Sequence, residues 1–310
     1  MDTYAFKLRF ITVLVGMAIA LIFAFVVAGV LVYLYGITVT SSLIYLLLII
    51  MLFIDMVQWL LSPYLVGLTF KLKKAAESEY PELFDIVREA CNYNNIHKIP
   101  EIYVALNGSP NAFAYGSPLT GKRIAFTKSI LNTLNHDELL AVTGHEIGHI
   151  RHHDMELLMA IGLIPTLIFY MAYGTLFSGF GSRKSGNFLL IAVLLFALSF
   201  VFNIMILGVN RIRESYADVN SAKTVPGGAY NLQRSLAKLT KDTQNYGRNK
   251  KRSINDMLMF SDNNFKTDFF DDIDDTIEKL KTMKAPRSLF SDHPHPAKRI
   301  QNLEKYKNNF

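Results

Sequence analysis

Only one cysteine, Cys91, stands in the 310 residues of this chain, so no internal disulfide can form, and a reducing compartment suits it. Charge is also sparse. Charged residues make up 19% of the chain against 51% hydrophobic, and the mean hydropathy of +0.22 points to a membrane protein before any motif is read. No internal repeat is visible. No small-residue cleavage site follows the first apolar run, and that run is too long for the core of a signal peptide. The net charge of +6 could suggest nucleic acid, but basic residues flanking membrane spans explain it more simply, and no nucleic-acid partner is expected.

What the chain does have is long apolar runs, at residues 10–35, 43–61, 157–180 and 188–209. Each reaches the roughly 20 residues needed to cross an apolar core about 30 Å thick. Well over half of the chain remains for water, enough for one soluble domain, which the second pair of runs interrupts. The expected organisation is a two-span hairpin over 1–68, the first half of a soluble domain over 69–156, a second hairpin over 157–209 and the second half over 210–310. Lys7 and Arg9 precede the first run, and Lys71, Lys73 and Lys74 follow the second. Arg211 and Arg213 follow the fourth, while the loop at 36–42 carries no charge and 181–187 holds only Arg183 and Lys184. The excess of basic residues on one side predicts a multi-pass cell-membrane protein with both termini and the soluble parts in the cytoplasm. Because runs three and four form a hairpin, residues just before 157 and just after 209 leave the membrane on the same side.

Between the hairpins, "YPELFDIVREACNYNN" has a helical rhythm with Pro81 near its start. "EIYVAL" (101–106) and "RIAFTK" (123–128) are expected strands, separated by a turn-rich "NGSPNAFAYGSPLTG". Asn135 with Glu138 three residues on reads as an N-cap and capping box, so a helix should start there. The runs "GRNKKR" (247–252) and "DDIDD" (271–275) read as solvated loop and helix faces, and the segment 260–275 has no assignable role.

That helix carries "TGHEIGHIRHHD" (143–154), which holds four of the chain's eight histidines. Residues four apart share one helix face, with Cβ atoms about 6 Å apart. His145 and His149 can therefore bind one ion through their ring nitrogens, at about 2.0–2.1 Å if it is zinc. Glu146, about 100° round the helix, sits beside the ion, where it can take a proton from an attacking water and pass it to a leaving amine. This spacing is that of the zinc proteases. A third protein ligand is needed. On a straight helix His153 would lie two further turns from His145, too far for a shared ion, so His152 and His153 are expected to be solvated. A metzincin histidine would fall at position 155, which is Met155. Glu214, in "RESYAD" (213–218), is the better candidate, since the hairpin brings it to the same side of the membrane. A surface pair with Arg213 is the alternative. Asp218, four residues further on, could bond the second nitrogen of a histidine ligand and fix its tautomer.

Taken together, the amino-terminal hairpin, "NAFAYG", "DELLAVTGHEIGHIRHHD", the second hairpin, "RESYAD" and a late "HP" followed by "KRI" resemble the HtpX-type membrane zinc metalloproteases, distant relatives of the CAAX prenyl endopeptidases. The resemblance spans most of the chain. It implies an α+β fold with four transmembrane helices in two hairpins. The rest would be a mostly helical, zincin-like (gluzincin) protease domain with a small β-sheet. It further implies one Zn2+ held by His145, His149 and Glu214, Glu146 as catalytic base, and Asp218 supporting a ligand. The strand containing "RIAFT" would be the edge along which an extended substrate lies. Asn111 would orient substrate and His293 would donate to the oxyanion. His295 competes with His293 for that role, and the spacing from His293 to Arg299 favours His293. Substrates would be misfolded or damaged membrane proteins, with self-cleavage, at the surface of the lipid bilayer.

Two other readings compete. An intramembrane zinc protease would bury its motif in an apolar run and carry an "LDG" ligand segment, whereas His136, Asp137, Glu138, Arg151 and Asp154 surround this one and no "LDG" occurs. A non-enzymatic scaffold with structural zinc, or a metal transporter, would have no use for Glu146 or would need paired His or Asp within its runs; only Asp55 is there. Asp55, Gln58 and Asn203 are costly facing lipid and are expected to face the bundle interior, bonding between helices or admitting water. Pro165 is expected to be a tolerated kink.

Overall fold

The computed structural model describes residues 41–178, 185–249, 272–285 and 294–307. The first apolar run, Arg183, Lys184, most of 260–275 and His293 lie outside the described residues. The described residues divide into two units, one within 60–157 and 207–307, the other within 41–59 and 158–206.

Helix α1 (Ser41–Thr69) contains the second apolar run. The soluble unit continues with β1 (Leu72–Lys74), α2 (Pro81–Tyr93), β2 (Glu101–Ala105), β3 (Ala112–Ser117), β4 (Gly121–Thr127), α3 (Lys128–Thr133) and α4 (His136–Arg151). Helix α5 (Asp154–Ser178) and helix α6 (Ser185–Thr224) carry the third and fourth runs and are long and apolar enough to cross a membrane. Only 11% of each apolar window is buried by protein, so most of their apolar surface needs another partner, which lipid would supply. Within the unit holding 158–206, Ser199 Oγ donates to the Pro165 carbonyl at 2.8 Å and Phe169 meets Phe196 at 5.3 Å. Asn203 and Gln58 do not face inward as expected: both are exposed, and Asp55 is half-buried. Asn203 instead donates to Ser199 O of its own helix at 2.9 Å, which satisfies one amide proton without a partner helix.

The sheet is mixed, in the order β1-β2-β4-β3, with β2 and β4 parallel and the outer pairs antiparallel. Two expectations change here. The turn-rich stretch between the expected strands contains β3, and "RIAFT" is not the edge: β4 is hydrogen-bonded on both sides. Gly, Ser and Pro at both ends of 107–121 hide a strand that exists because it can pair with β4, a long-range fact that local turn signals cannot report. Ile102, Val104, Ile124 and Phe126 project from one face into a core with Ile86 and Val87 of α2 and Leu139 and Ile147 of α4. The other face carries Tyr103, Phe113 and Tyr115, with Phe113 also against Phe70 at 5.4 Å.

Helix α4 starts at the predicted capping box, with Asn135 accepting from Glu138 N at 2.9 Å and Glu138 accepting from Asn135 N at 3.0 Å. The fully buried Glu138 also takes Lys238 (2.6 Å) and Arg234 (3.3 Å) from α7 (Gly228–Asn249). Two short helices complete the unit, α8 (Ile273–Thr282) and α9 (Pro296–Leu303). His295 is the N-cap of α9, its Nδ1 accepting from Ala297 N at 3.1 Å, and burial pushes its pKa down to about 4.

Candidate metal centre

Two glycines decide how near α4 comes to α6. A Cβ on Gly144 would lie 2.5 Å from Val225 Cγ2, and one on Gly148 would lie 3.2 Å from Asn220 Cβ and 3.3 Å from Ala217 Cα. Their hydrogens let the two helices approach more closely than side chains would permit. Asn220 and Ser221 then fasten the contact, donating to Gly144 O at 3.0 Å and Ala141 O at 2.6 Å.

At this crossing His145, His149 and Glu214 come together, each offering one ligand atom, all within 4.8 Å of one another. The two Nε2 atoms face each other at 3.3 Å, and the Glu214 carboxylate lies 3.6 Å from His145 Nε2 and 3.5 Å from His149 Nε2. The outer nitrogens are engaged elsewhere. His145 Nδ1 is 2.9 Å from Asp218 Oδ1, and His149 Nδ1 is 2.6 Å from Asp154 Oδ2. In the neutral ring, the form that binds a metal, a carboxylate on Nδ1 holds the proton there and would leave the Nε2 lone pair facing inward. Two imidazoles whose Nε2 atoms face inward and one carboxylate, enclosed by the protein, are a donor set that fits zinc.

Glu146 is buried beside this group. Its Oε2 accepts from Ala114 N on β3 at 2.8 Å, and burial raises its pKa, while the two neighbouring histidines oppose that rise. Burial would lower the pKa of both imidazoles, and Arg299 adds to that on His145. The bonds to Asp218 and Glu214 win on His145, and those to Asp154 and Glu214 carry His149 up to about 10. The carboxylates that draw protons onto these rings would equally favour a metal cation between them. Asp218 is drawn below the usual carboxylate range against its burial, chiefly by Arg299. That guanidinium, from α9, binds both carboxylate oxygens, Nε to Oδ2 at 2.9 Å and Nη2 to Oδ1 at 2.6 Å, and lies 3.7 Å from Glu214.

Asn111 immediately precedes β3, its backbone N–H donating to Thr127 Oγ1 and its carbonyl accepting from Thr127 N, both at 2.9 Å. His152 and His153 are exposed, and the helix that carries them is not straight: α4 ends at Arg151, and His153 takes a left-handed φ of 55° before α5 begins. Local sequence does not by itself mark Asp154, Arg299 or the two glycines as site residues. The "KRI" motif was a signal for Arg299, but nothing local marks Asp154, because its role depends on that break.

The profile of peptidase family M48 matches residues 77–307. The chain belongs to peptidase family M48. It is 60% identical to a "Protease HtpX homolog" of Picrophilus torridus over 100% of both chains. A "Protease HtpX homolog" of Thermoplasma volcanium is 46% identical, over 96% of this chain and 94% of the relative. The chain is therefore a metalloprotease of the HtpX type, with two helices long and apolar enough to cross a membrane. Its fold is similar to that of a crystal structure of S. mikatae Ste24p, with a TM-score of 0.55 at 19% identity; the match covers 94% of this chain and 66% of the other.

Proposed function

We propose that this M48 peptidase is a zinc endopeptidase in which His145, His149 and Glu214 hold the metal and Glu146 is the general base. The observation carrying the reading is the convergence of those three donors within 4.8 Å, with the Glu146 carboxylate buried alongside. Zinc bound there would polarise the scissile carbonyl and bring the pKa of the attacking water to about 7. Glu146 takes the proton of that water and delivers it to the leaving nitrogen. Ala114 N–H fixes Oε2, so Oε1 is the oxygen left for proton transfer. Its raised pKa suits it to both halves of that task. Asp218, kept ionised by Arg299, holds the His145 proton on Nδ1.

The substrate strand would lie on β3, the edge next to α4, rather than on β4. Since Ala114 N–H points away from β4 and Asn111 O points towards it, strand alternation turns the backbone of Ala112 and Gly116 outward as well. Ala112 and Gly116 then offer the main-chain bonds, while the Ala114 N–H stays with the base. Asn111, at the start of this strand, orients the substrate, and His293 donates to the oxyanion. The engagement of His295 as the cap of α9 supports His293 for that role.

In this reading two membrane hairpins, at 1–68 and 157–209, hold the two halves of the protease domain, 69–156 and 210–310, at the cytoplasmic face of the cell membrane. Four spans, one zinc per chain, and quality control of misfolded or damaged membrane proteins complete it. The test is cleavage of casein by purified, zinc-loaded chain in detergent, wild type beside Glu146→Gln, with metal content measured in both. Cleavage by wild type alone, with zinc in both, is the expected result; loss of zinc together with activity would give Glu146 a different role.

A further inference from the structure

The break between α4 and α5 places a second carboxylate at the centre. In an unbroken helix residue 154 would sit about 140° round from His149, facing away from it. Instead α4 stops at Arg151, His153 adopts a φ of 55°, and α5 restarts at Asp154. A left-handed residue other than glycine is disfavoured by sterics, so this turn is held by what it achieves around it. It returns the Asp154 side chain, 3% exposed, to the His149 ring, with Oδ2 at 2.6 Å from Nδ1. The other oxygen, Oδ1, ion-pairs with Arg213 Nε at 3.1 Å, and Arg213 directly precedes Glu214 on α6. The two rings are thus treated alike, each backed by a carboxylate that is backed in turn by an arginine: His145 by Asp218 and Arg299, His149 by Asp154 and Arg213.

We propose that Asp154 is a positioning residue of the metal centre, fixing the His149 ring and tying it through Arg213 to the helical turn that carries Glu214. The inference rests on the reading of His145, His149 and Glu214 as the metal ligands. Asp154 touches no reacting atom. It orients one ligand, fixes its tautomer, and keeps the second and third ligands at a set separation, so its removal weakens metal binding rather than removing a donor. Its place at the first residue of α5 also makes the start of a membrane-capable helix part of the metal site.

The test measures zinc affinity of the full chain in detergent by competition with a chelating dye, for wild type, Asp154→Asn, Asp154→Ala and Glu156→Ala. Glu156 is the control: it forms the neighbouring ion pair at the start of α5, with Lys122, and contacts no proposed ligand. Asp154→Ala should lose about 10–100-fold in zinc affinity, as removal of a ligand's supporting partner does, and Asp154→Asn should lose less. Glu156→Ala should bind zinc as wild type does. Cobalt substituted into Asp154→Asn should show a shifted visible spectrum, which a purely structural role would leave unmoved. If Asp154→Ala fails to fold, the near-isosteric Asn variant and its cobalt spectrum decide alone. Wild-type affinity with an unchanged cobalt spectrum in the Asp154 variants overturns the proposal. Absence of zinc binding by wild type would instead overturn the underlying assignment of the ligands.

Discussion

Replacing Gly144 by alanine would test whether the closeness of α4 and α6 builds the metal centre. The added Cβ would sit 2.5 Å from Val225 Cγ2, against the roughly 3.5–4.0 Å at which carbon atoms rest, so something must move by about 1 Å. Val225 is fully buried, and such overpacking costs about 1–3 kcal/mol. Alanine in a helix interior returns about 1 kcal/mol over glycine, leaving a net loss of roughly 0–2 kcal/mol. Val225→Ala alone removes two buried methyl groups and should cost roughly 2 kcal/mol. In the double variant the methyl group added at position 144 occupies the space that Val225 vacates, so the two changes should offset each other by about 1–3 kcal/mol. The assay is thermal unfolding of the metal-free chain in detergent at a fixed scan rate, with zinc affinity measured beside it. Each kcal/mol should move the midpoint by about 2–4 °C for a domain of roughly 150–250 residues. His145 adjoins Gly144, so zinc affinity should fall in the single variant and recover in the double one. Additivity within about 0.5 kcal/mol, or a Gly144→Ala variant more stable than wild type, would refute the claim that this approach is tight.

Glu214→Ala should weaken zinc binding while the metal-free chain stays folded; full zinc occupancy at micromolar metal would sink its assignment as a ligand. Arg299→Lys keeps the charge but cannot hold both oxygens of Asp218, so zinc affinity and kcat/KM should each fall about 10–100-fold, and unchanged values would remove Arg299 from the site. His295 has a folded-state pKa depressed to about 4, below the roughly 6.5 of an unfolded histidine. Its stabilising share is therefore present above about pH 6.5 and lost as pH falls towards 4. His295→Asn keeps a good N-cap without titrating, so its melting temperature should fall less over that window than that of wild type; parallel curves would refute the prediction.

The start of α4 is legible in sequence because Asn135 and Glu138 satisfy each other's backbone within a single turn, an interaction that needs no other part of the chain. The same holds for His145, Glu146 and His149, whose relative placement follows from helix geometry alone, and for β2 and β4, whose apolar alternation marks a buried sheet face. Glu214 and Asp218 were reachable only through the topology of the hairpin, and Arg299 only as part of a late motif whose partner was not visible. What the tertiary structure decided has one feature in common: each is a contact that no local rule of helix or strand specifies. The edge of the sheet belongs to β3 because β4 is claimed on both sides, although β3 reads locally as turns. Asp154 meets His149 because a left-handed His153 breaks a helix that the sequence would continue. How near Glu214 comes to His145 and His149 depends on the close approach at Gly144 and Gly148, whose missing side chains matter only once Val225, Asn220 and Ala217 are packed against them. Local hydrogen bonds and periodicity are written into neighbouring residues, whereas close packing between helices far apart in the chain exists only in three dimensions.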